Sequence, residues 1–433
     1  MGLEIILSYW DIPSLKNLGA KTLIRGRMLV PHPNQAHWRY LNDGLIAIGE
    51  NGIILGVKQN ITADISEIPE TRPGCIWMPG FVDTHLHFPQ TNIIGSASGA
   101  LLPWLEKSVF PEESKFSDME YSAVVAQKFC DSLLKNGTTC AAIYSSSHLD
   151  STHMLFHTLA QRGLRAEVGM TLMNRNAKDS LLVPTSLAME NAERLIKKWH
   201  GHDQNRLRFC VTPRFAISCT SDLLKAAGDL AEKYDLMIQT HISENTDELV
   251  ATAQLFPTSK DYLAVYEEYG LLTSKSLFAH CIYLNHREMH KIAEVGASIS
   301  HCPDSNFFLG SGQMPLQQLK SLGMKIALGT DVGAGRTFSM SKACARAYDA
   351  SRITKSQTSA SELLWMATRG GAIAMGKGNQ IGSFANGYEA DLIAVRPANE
   401  TWEDIYQLCD QLVFQEDHQG VQEVWIKGRK VWG

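Results

Sequence analysis

Both ends of the chain read as small strands joined by tight turns. Thr22–Val30 is β-compatible, and Gly44–Gly49 and Gly52–Val57 are short apolar runs around Asn51-Gly52, a pair that favours a hairpin turn. Toward the other end Ala390–Val395 has the same texture, and Val424–Val431 reads as a hairpin turning at Lys427-Gly428. Two β-rich ends around a different middle predict one small composite β-sandwich domain, built from residues 1–78 and 380–433.

The middle alternates between short apolar runs and stretches of helical period. Strands are predicted at Phe81–His85, Thr138–Ile143, Arg165–Thr171, Leu207–Thr212, Leu236–His241, Ser276–His280, Ala297–His301 and Lys325–Asp331. Helical patterns lie between them, among them Tyr121–Lys135, Ser186–Trp199, Asp222–Tyr234 and Arg287–Glu294, and Ser359–Met375 supplies a closing helix. This alternation over residues 79–379 predicts an α/β fold, a (β/α)8 TIM barrel carrying the composite β domain. A doubly wound open sheet is the rival, but no glycine-rich phosphate loop follows the first strand.

Composition narrows the setting. The 433 residues suffice for one large and one small domain, and 44% apolar with 20% charged residues is ordinary for a globular chain. The net charge is −5 with no basic run, which argues against nucleic-acid or anionic-membrane partners. No apolar run approaches the roughly 18 residues that would span a bilayer. The first ten residues, MGLEIILSYW, make a poor signal peptide: they lack a basic region and carry Glu4. Ile6 stands where a myristoylation motif wants Ser or Thr. Nine cysteines without a C-x-x-C pair read as reduced thiols of a cytoplasmic protein.

The chemistry gathers at predicted strand ends. After Pro79-Gly80 the first strand runs into His85-Leu86-His87, and residues i and i+2 of a strand share a face, so two imidazoles aim at one point. The fifth strand ends at His241, the sixth at His280 and the eighth at Asp331. In a barrel these ends face one mouth. Three imidazoles and one carboxylate make a nitrogen and oxygen donor set that suits zinc or Fe(II). Glu244, three residues past His241, is placed to move protons for a water whose pKa a metal lowers from about 15.7 to about 7, and Asp331 suits the second proton. Each residue also has a plainer reading. A single strand-end histidine is more often structural, and Glu244 alone suits a helix N-terminus. His286 and His290, at i and i+4, belong to a solvated helix face. His301-Cys302 ends the seventh strand, with weak support for a second metal there. Trp104 suits either capping a flat substrate or packing on a loop helix.

With these residues in view the chain resembles the amidohydrolase superfamily over nearly its whole length, and within it the guanine deaminases. The resemblance rests on Pro79-Gly80-Phe81-Val82-Asp83-Thr84-His85-Leu86-His87-Phe88-Pro89-Gln90, on Leu102-Pro103-Trp104-Leu105-Glu106-Lys107 with Phe110-Pro111, and on Thr212-Pro213-Arg214-Phe215. Thr240-His241-Ile242-Ser243-Glu244-Asn245, Ser300-His301-Cys302-Pro303 with Ser305-Asn306, and Gly329-Thr330-Asp331-Val332 complete it. It implies hydrolytic deamination of guanine to xanthine and ammonia. It implies one zinc on His85, His87, His241 and Asp331, catalysis by Glu244 with His280 and Asp331, guanine contacts from Gln90, Arg214 and Phe215, and a homodimer. Asp304 departs from the pattern, where a small neutral residue is expected.

Binuclear relatives need a lysine or carboxylate at the end of the fourth strand; here Arg214 stands, which cannot deprotonate to ligate a cation. Arg214 then either meets a substrate acceptor such as guanine O6 or pairs with a carboxylate at the rim. The rival activities are deamination or dechlorination of another heterocycle, such as an adenosine derivative, a triazine or a pterin. A rival of another class is a non-catalytic assembly protein on the same fold, which would lose metal ligands that this chain keeps.

Overall fold

The structure is a computed structural model that describes residues 19–59, 68–415 and 420–433. The N-terminal stretch read above for a signal peptide or acyl anchor lies outside the described residues, as does the start of the first predicted domain. No helix among the described residues is long and apolar enough to cross a membrane.

Strands come from both ends of the chain into one seven-stranded sheet. β1 (Ala20–Pro31), β2 (Trp38–Gly49) and β3 (Ile54–Gln59) form a meander, and β4 (Ile76–Pro79) joins β1 in parallel. β15 (Leu392–Arg396), β16 (Gly420–Ile426) and β17 (Arg429–Trp432) add to β4, giving the order β17-β16-β15-β4-β1-β2-β3. Both predicted turns are present. Lys427 and Gly428 have φ of 50° and 69°, the double left-handed geometry of the tight hairpin between β16 and β17.

All eight central strands are found, in two parallel arcs. The first is β5 (Phe81–His87), β6 (Thr138–Tyr144), β7 (Arg165–Gly169) and β9 (Leu207–Phe209). The second is β11 (Ile238–Ile242), β12 (Ser276–His280), β13 (Ser298–His301) and β14 (Lys325–Leu328). Between them β8 (Thr171–Leu172) and β10 (Thr212–Pro213) make a short parallel pair near the strand ends. The arcs meet at both edges. At one, Val211 pairs in parallel with Ile238; at the other, Asp331 N–H donates to His85 O at 2.8 Å and His87 N–H to Val332 O at 2.8 Å. The central strands are almost wholly buried, as expected of parallel strands covered on both faces.

The closing helix approaches the first strand at Gly371, where a Cβ would fall 2.7 Å from Val82 Cβ. It runs as Ala360–Trp365, a π turn over Met366–Gly370, and Gly371–Ala374. Arg165 on β7 ties the arcs to the terminal sheet: its Nε donates to Asp391 Oδ2 at 2.7 Å, and its NH2 to Asp391 Oδ1 at 3.2 Å and to Glu389, with both Arg165 and Asp391 buried.

Candidate active site

β5 delivers His85 and His87 on one face at its end, as the period of two requires. β11 brings His241 and β12 brings His280. Asp331 lies three residues past β14, beyond the tightly packed Gly329, where a Cβ would lie 2.6 Å from Ser300 Oγ and 2.7 Å from His85 Cβ. His280 and Asp331 have φ of 73° and 51°. Non-glycine residues persist in that conformation where surrounding contacts over-determine them, which is common at functional sites.

The five side chains converge. His87 Nε2 and His241 Nε2 are 3.2 Å apart, and Asp331 Oδ1 is 3.3 Å from Nε2 of both His85 and His87. Donor atoms on a tetrahedron at about 2.1 Å from zinc lie about 3.4 Å from each other, so these separations suit one small cation. The donor chemistry fits as well. Nε2 of His85 and of His280 are buried without a hydrogen-bond partner, a costly state for an imidazole unless its lone pair has an electrophile. Burial holds His85 and His241 below the usual histidine range and takes His87 down to about 4, so the rings are neutral at pH 7. Burial would raise Asp331, but the histidines around it hold it well below the usual carboxylate range.

The partners of these residues set their orientation. Arg214 O accepts from His241 Nδ1–H at 2.6 Å, which leaves Nε2 as the free donor atom. Asn306 Oδ1 does the same for His280 Nδ1 at 3.0 Å. Asp83 accepts from His85 N–H at 3.2 Å and Thr330 N–H at 3.0 Å, locking the first and last strand ends together. The Tyr144 ring lies 4.6–4.9 Å from the rings of His85, His87 and His241 and forms their floor.

Glu244 sits beside this cluster, 2% exposed, with Oε2 3.4 Å from His280 Nε2 and Oε1 accepting from Ser311 Oγ at 3.0 Å. Burial, aided by the charge of Asp331, raises its pKa to about 8. It is not the N-terminal carboxylate of the following helix. That part is taken by Glu248, whose Oε2 accepts the N–H groups of Glu244 and Asn245 at 2.7 and 3.2 Å.

A narrow cavity opens beside Glu244, lined also by His87, His241, His280 and Asp331. All four residues expected to touch substrate line it: Gln90, Trp104, Arg214 and Phe215. Trp104 is pinned by its Nε1–H to Ser96 O at 2.8 Å, on a helical wall running from Leu101 through a π turn to Glu113. Arg214 meets a carboxylate too, but a buried one: its NH1 donates to Glu113 Oε2 at 2.7 Å, and Glu113 is 3% exposed.

Glu113, Ser311 and the roles of Asp83 and Asn306 escaped the sequence reading. Glu113 stands two residues beyond the Phe110-Pro111 pair, and only the fold reveals its partners. His301 and Cys302 do not line the cavity, although Cys302 Sγ lies with donor atoms of His85, His280 and Asp331, all within 4.8 Å of one another. His286 and His290 are exposed on their helix, as predicted. Asp304, the departure from pattern, is buried and paired with Arg336, accepting its backbone N–H at 2.6 Å.

Known proteins are similar to this chain in sequence and in fold. The guanine deaminase of Escherichia coli (strain K12) is 34% identical over 406 residues, covering 91% of this chain and 92% of its own. Its solved structure superposes with a TM-score of 0.91 over 95% of this chain and 99% of that one, at 32% identity. A guanine deaminase from C. acetobutylicum with guanine bound in its active site gives 0.89 at 31% identity, covering 95% of this chain and all of that one. An adenosine deaminase from Xanthomonas campestris with bound zinc gives 0.81 at 26% identity, over 94% and 92% of the two chains. The amidohydrolase family model matches residues 76–431, and the chain belongs to the amidohydrolase family.

Proposed function

We propose that this protein is a metal-dependent hydrolase that deaminates guanine to xanthine and ammonia. The observation that carries it is the convergence of His85, His87, His241 and Asp331 next to Glu244, at the floor of a cavity walled by Gln90, Arg214, Phe215 and Trp104. His85, His87, His241 and Asp331 would hold one zinc, or Fe(II). When bound, such an ion supplies Lewis acidity that makes a water nucleophilic at neutral pH.

The chain's own residues then divide the work. His280, fixed by Asn306, points Nε2 at the attacking water and orients it onto C2 of the base. Glu244 takes one proton from that water and delivers it to the ring nitrogen beside C2, the task of a carboxyl whose pKa lies near the working pH. Asp331 takes the second proton and passes it to the exocyclic amine. The new C2–O bond replaces the C2–N bond, and ammonia leaves. Arg214 directs donors at O6, Gln90 holds the pyrimidine edge, and Phe215 and Trp104 enclose the flat ring.

The same reading takes the two strand arcs as one closed (β/α)8 barrel over residues 79–379, with residues 1–78 and 380–433 as a separate β domain. It also includes a cytoplasmic homodimer with no nucleic-acid or membrane partner. Ammonia release from guanine, adenine, cytosine, pterin and a triazine tests the activity. Guanine is expected to lead by at least tenfold in kcat/KM, and a faster reaction with any other of these bases overturns the assignment.

A further inference from the structure

We propose that Glu113 determines which base the cavity accepts, by holding Gln90 and Arg214 as one hydrogen-bonded unit of fixed polarity. The proposal rests on the base-deaminase reading above and adds a residue to it. Glu113 closes the helical wall, does not line the cavity, and touches two residues that do. Its Oε2 accepts from Arg214 NH1 at 2.7 Å, and its Oε1 accepts from Gln90 Nε2 at 3.2 Å. On the far side of the amide, Gln90 Oε1 accepts from Gly333 N–H at 3.1 Å.

The direction of every bond in this chain is set from its ends. A backbone N–H can only donate, an ionised carboxylate can only accept, and a guanidinium can only donate. One orientation of the Gln90 amide satisfies both neighbours; the flipped one sets amine against N–H at Gly333 and carbonyl against carboxylate at Glu113. Gln90 therefore presents to the cavity one remaining N–H and one remaining lone pair in fixed places. Arg214 has spent its charge on Glu113 and offers its other N–H groups as directed donors rather than as a free cation. A cavity so built selects a neutral heterocycle with a carbonyl facing Arg214 over the same ring bearing an amine there. It likewise selects against carboxylate or phosphate ligands, which need an uncompensated cation.

Replacing the carboxylate by an amide breaks this polarity. In Glu113→Gln the new amide can accept from Arg214 only by turning its NH2 toward the Gln90 NH2. Gln90 can relieve that clash only by flipping against Gly333. In Glu113→Asp the group is still acceptor-only, but one methylene shorter. The test measures kcat and KM for guanine and for 2,6-diaminopurine, its 6-amino counterpart, in wild type and both variants, with metal content and Tm.

Glu113→Gln is expected to keep its metal, to raise the KM for guanine more than it lowers kcat, and to shrink the guanine preference at least tenfold. Glu113→Asp is expected to retain most of that preference, even where its kcat/KM falls. A preference within threefold of wild type in a folded, metal-loaded Glu113→Gln overturns the proposal, as does an equal loss in the Asp and Gln variants. Should Glu113→Gln not fold, Glu113→Gln with Arg214→Met removes both charges. Calorimetric binding of the two bases is then expected near parity, and a retained preference overturns the idea. If wild type prefers a base other than guanine, the function proposed above fails. Glu113 is then tested on the ratio of that base to its counterpart with carbonyl and amine exchanged.

Discussion

Glu244→Gln separates proton transfer from metal binding. The substitution changes little else, because the pocket around residue 244 can satisfy an amide. Its oxygen can keep the 3.0 Å bond from Ser311 Oγ, and its NH2 can face the unpartnered Nε2 of His280, 3.4 Å from the present Oε2. What is lost is the titrating group. General acid–base catalysis contributes about 10²–10⁴-fold, and tenfold in rate is about 1.36 kcal/mol, so the barrier to chemistry should rise by about 2.7–5.4 kcal/mol. We expect kcat to fall by that factor with KM nearly unchanged and with metal content, by elemental analysis, equal to wild type.

The metal-stripped protein gives a second readout. Glu244 there has a pKa of about 8 against an ordinary value of 4.5, so the folded state binds its proton more tightly than the unfolded chain does. Stability must then fall as pH rises through that window, because ionising Glu244 is resisted only in the fold. Glu244→Gln removes this slope. Metal-free wild type should lose Tm between about pH 5 and pH 8 relative to the variant, and the two should differ least near pH 4. Loss of metal from the variant would make Glu244 a ligand, and a kcat within threefold of wild type would sink its role in proton transfer.

Three further outcomes follow from the same geometry. Purified protein should carry close to one zinc or iron per chain, since the fourth-strand end offers Arg214 and no bridging ligand; a reproducible two, with activity needing both, contradicts the single-metal reading. Asp304→Asn should cost about 1–3 kcal/mol in thermal or urea unfolding, because the buried carboxylate holds the Arg336 backbone and guanidinium in the loop after Asp331, and kcat/KM should fall with metal retained. Arg165→Met should cost about 3–5 kcal/mol by stranding buried Asp391 between β7 and the terminal sheet, and adding Asp391→Asn should recover part of it; a loss under 1 kcal/mol would show the pair is dispensable.

Much of the fold was legible because each central strand is a short apolar run set off by turns and helical stretches. The errors sit where side-chain demands overrule the pattern. β14 ends at Leu328 rather than Asp331, since the chain must leave the ladder for Asp331 to reach the histidines at φ 51°. The fourth strand, read as Leu207–Thr212, divides into Leu207–Phe209, which pairs with β7, and Thr212–Pro213, which pairs with β8. The helix Ile405–Phe414 carries Leu408, Cys409 and Leu412 at helical spacing behind an Asp404 cap, yet it lies between strand-rich stretches that drew the reading to β structure. For the site, the strand-end histidines announce themselves together, because several imidazoles and a carboxylate at strand ends that face one mouth are a coincidence unless they share a task. Glu113 gives no such signal: it is an ordinary acidic residue until the fold sets it against Arg214, 101 residues away.

Arg214 shows why the two readings posed for it were not exclusive. Its guanidinium both reaches the cavity and pairs with a carboxylate, and that carboxylate is held on a second cavity residue, Gln90. Its backbone does separate work: the carbonyl fixes the tautomer of His241 at 2.6 Å, whatever side chain the residue bears. On the proposed function, base recognition and metal holding would share one residue at the fourth-strand end but use different atoms of it. On the function proposed above, the same choice of residue that gives the cavity its directed donors would leave the site with one set of ligands, and so with one metal.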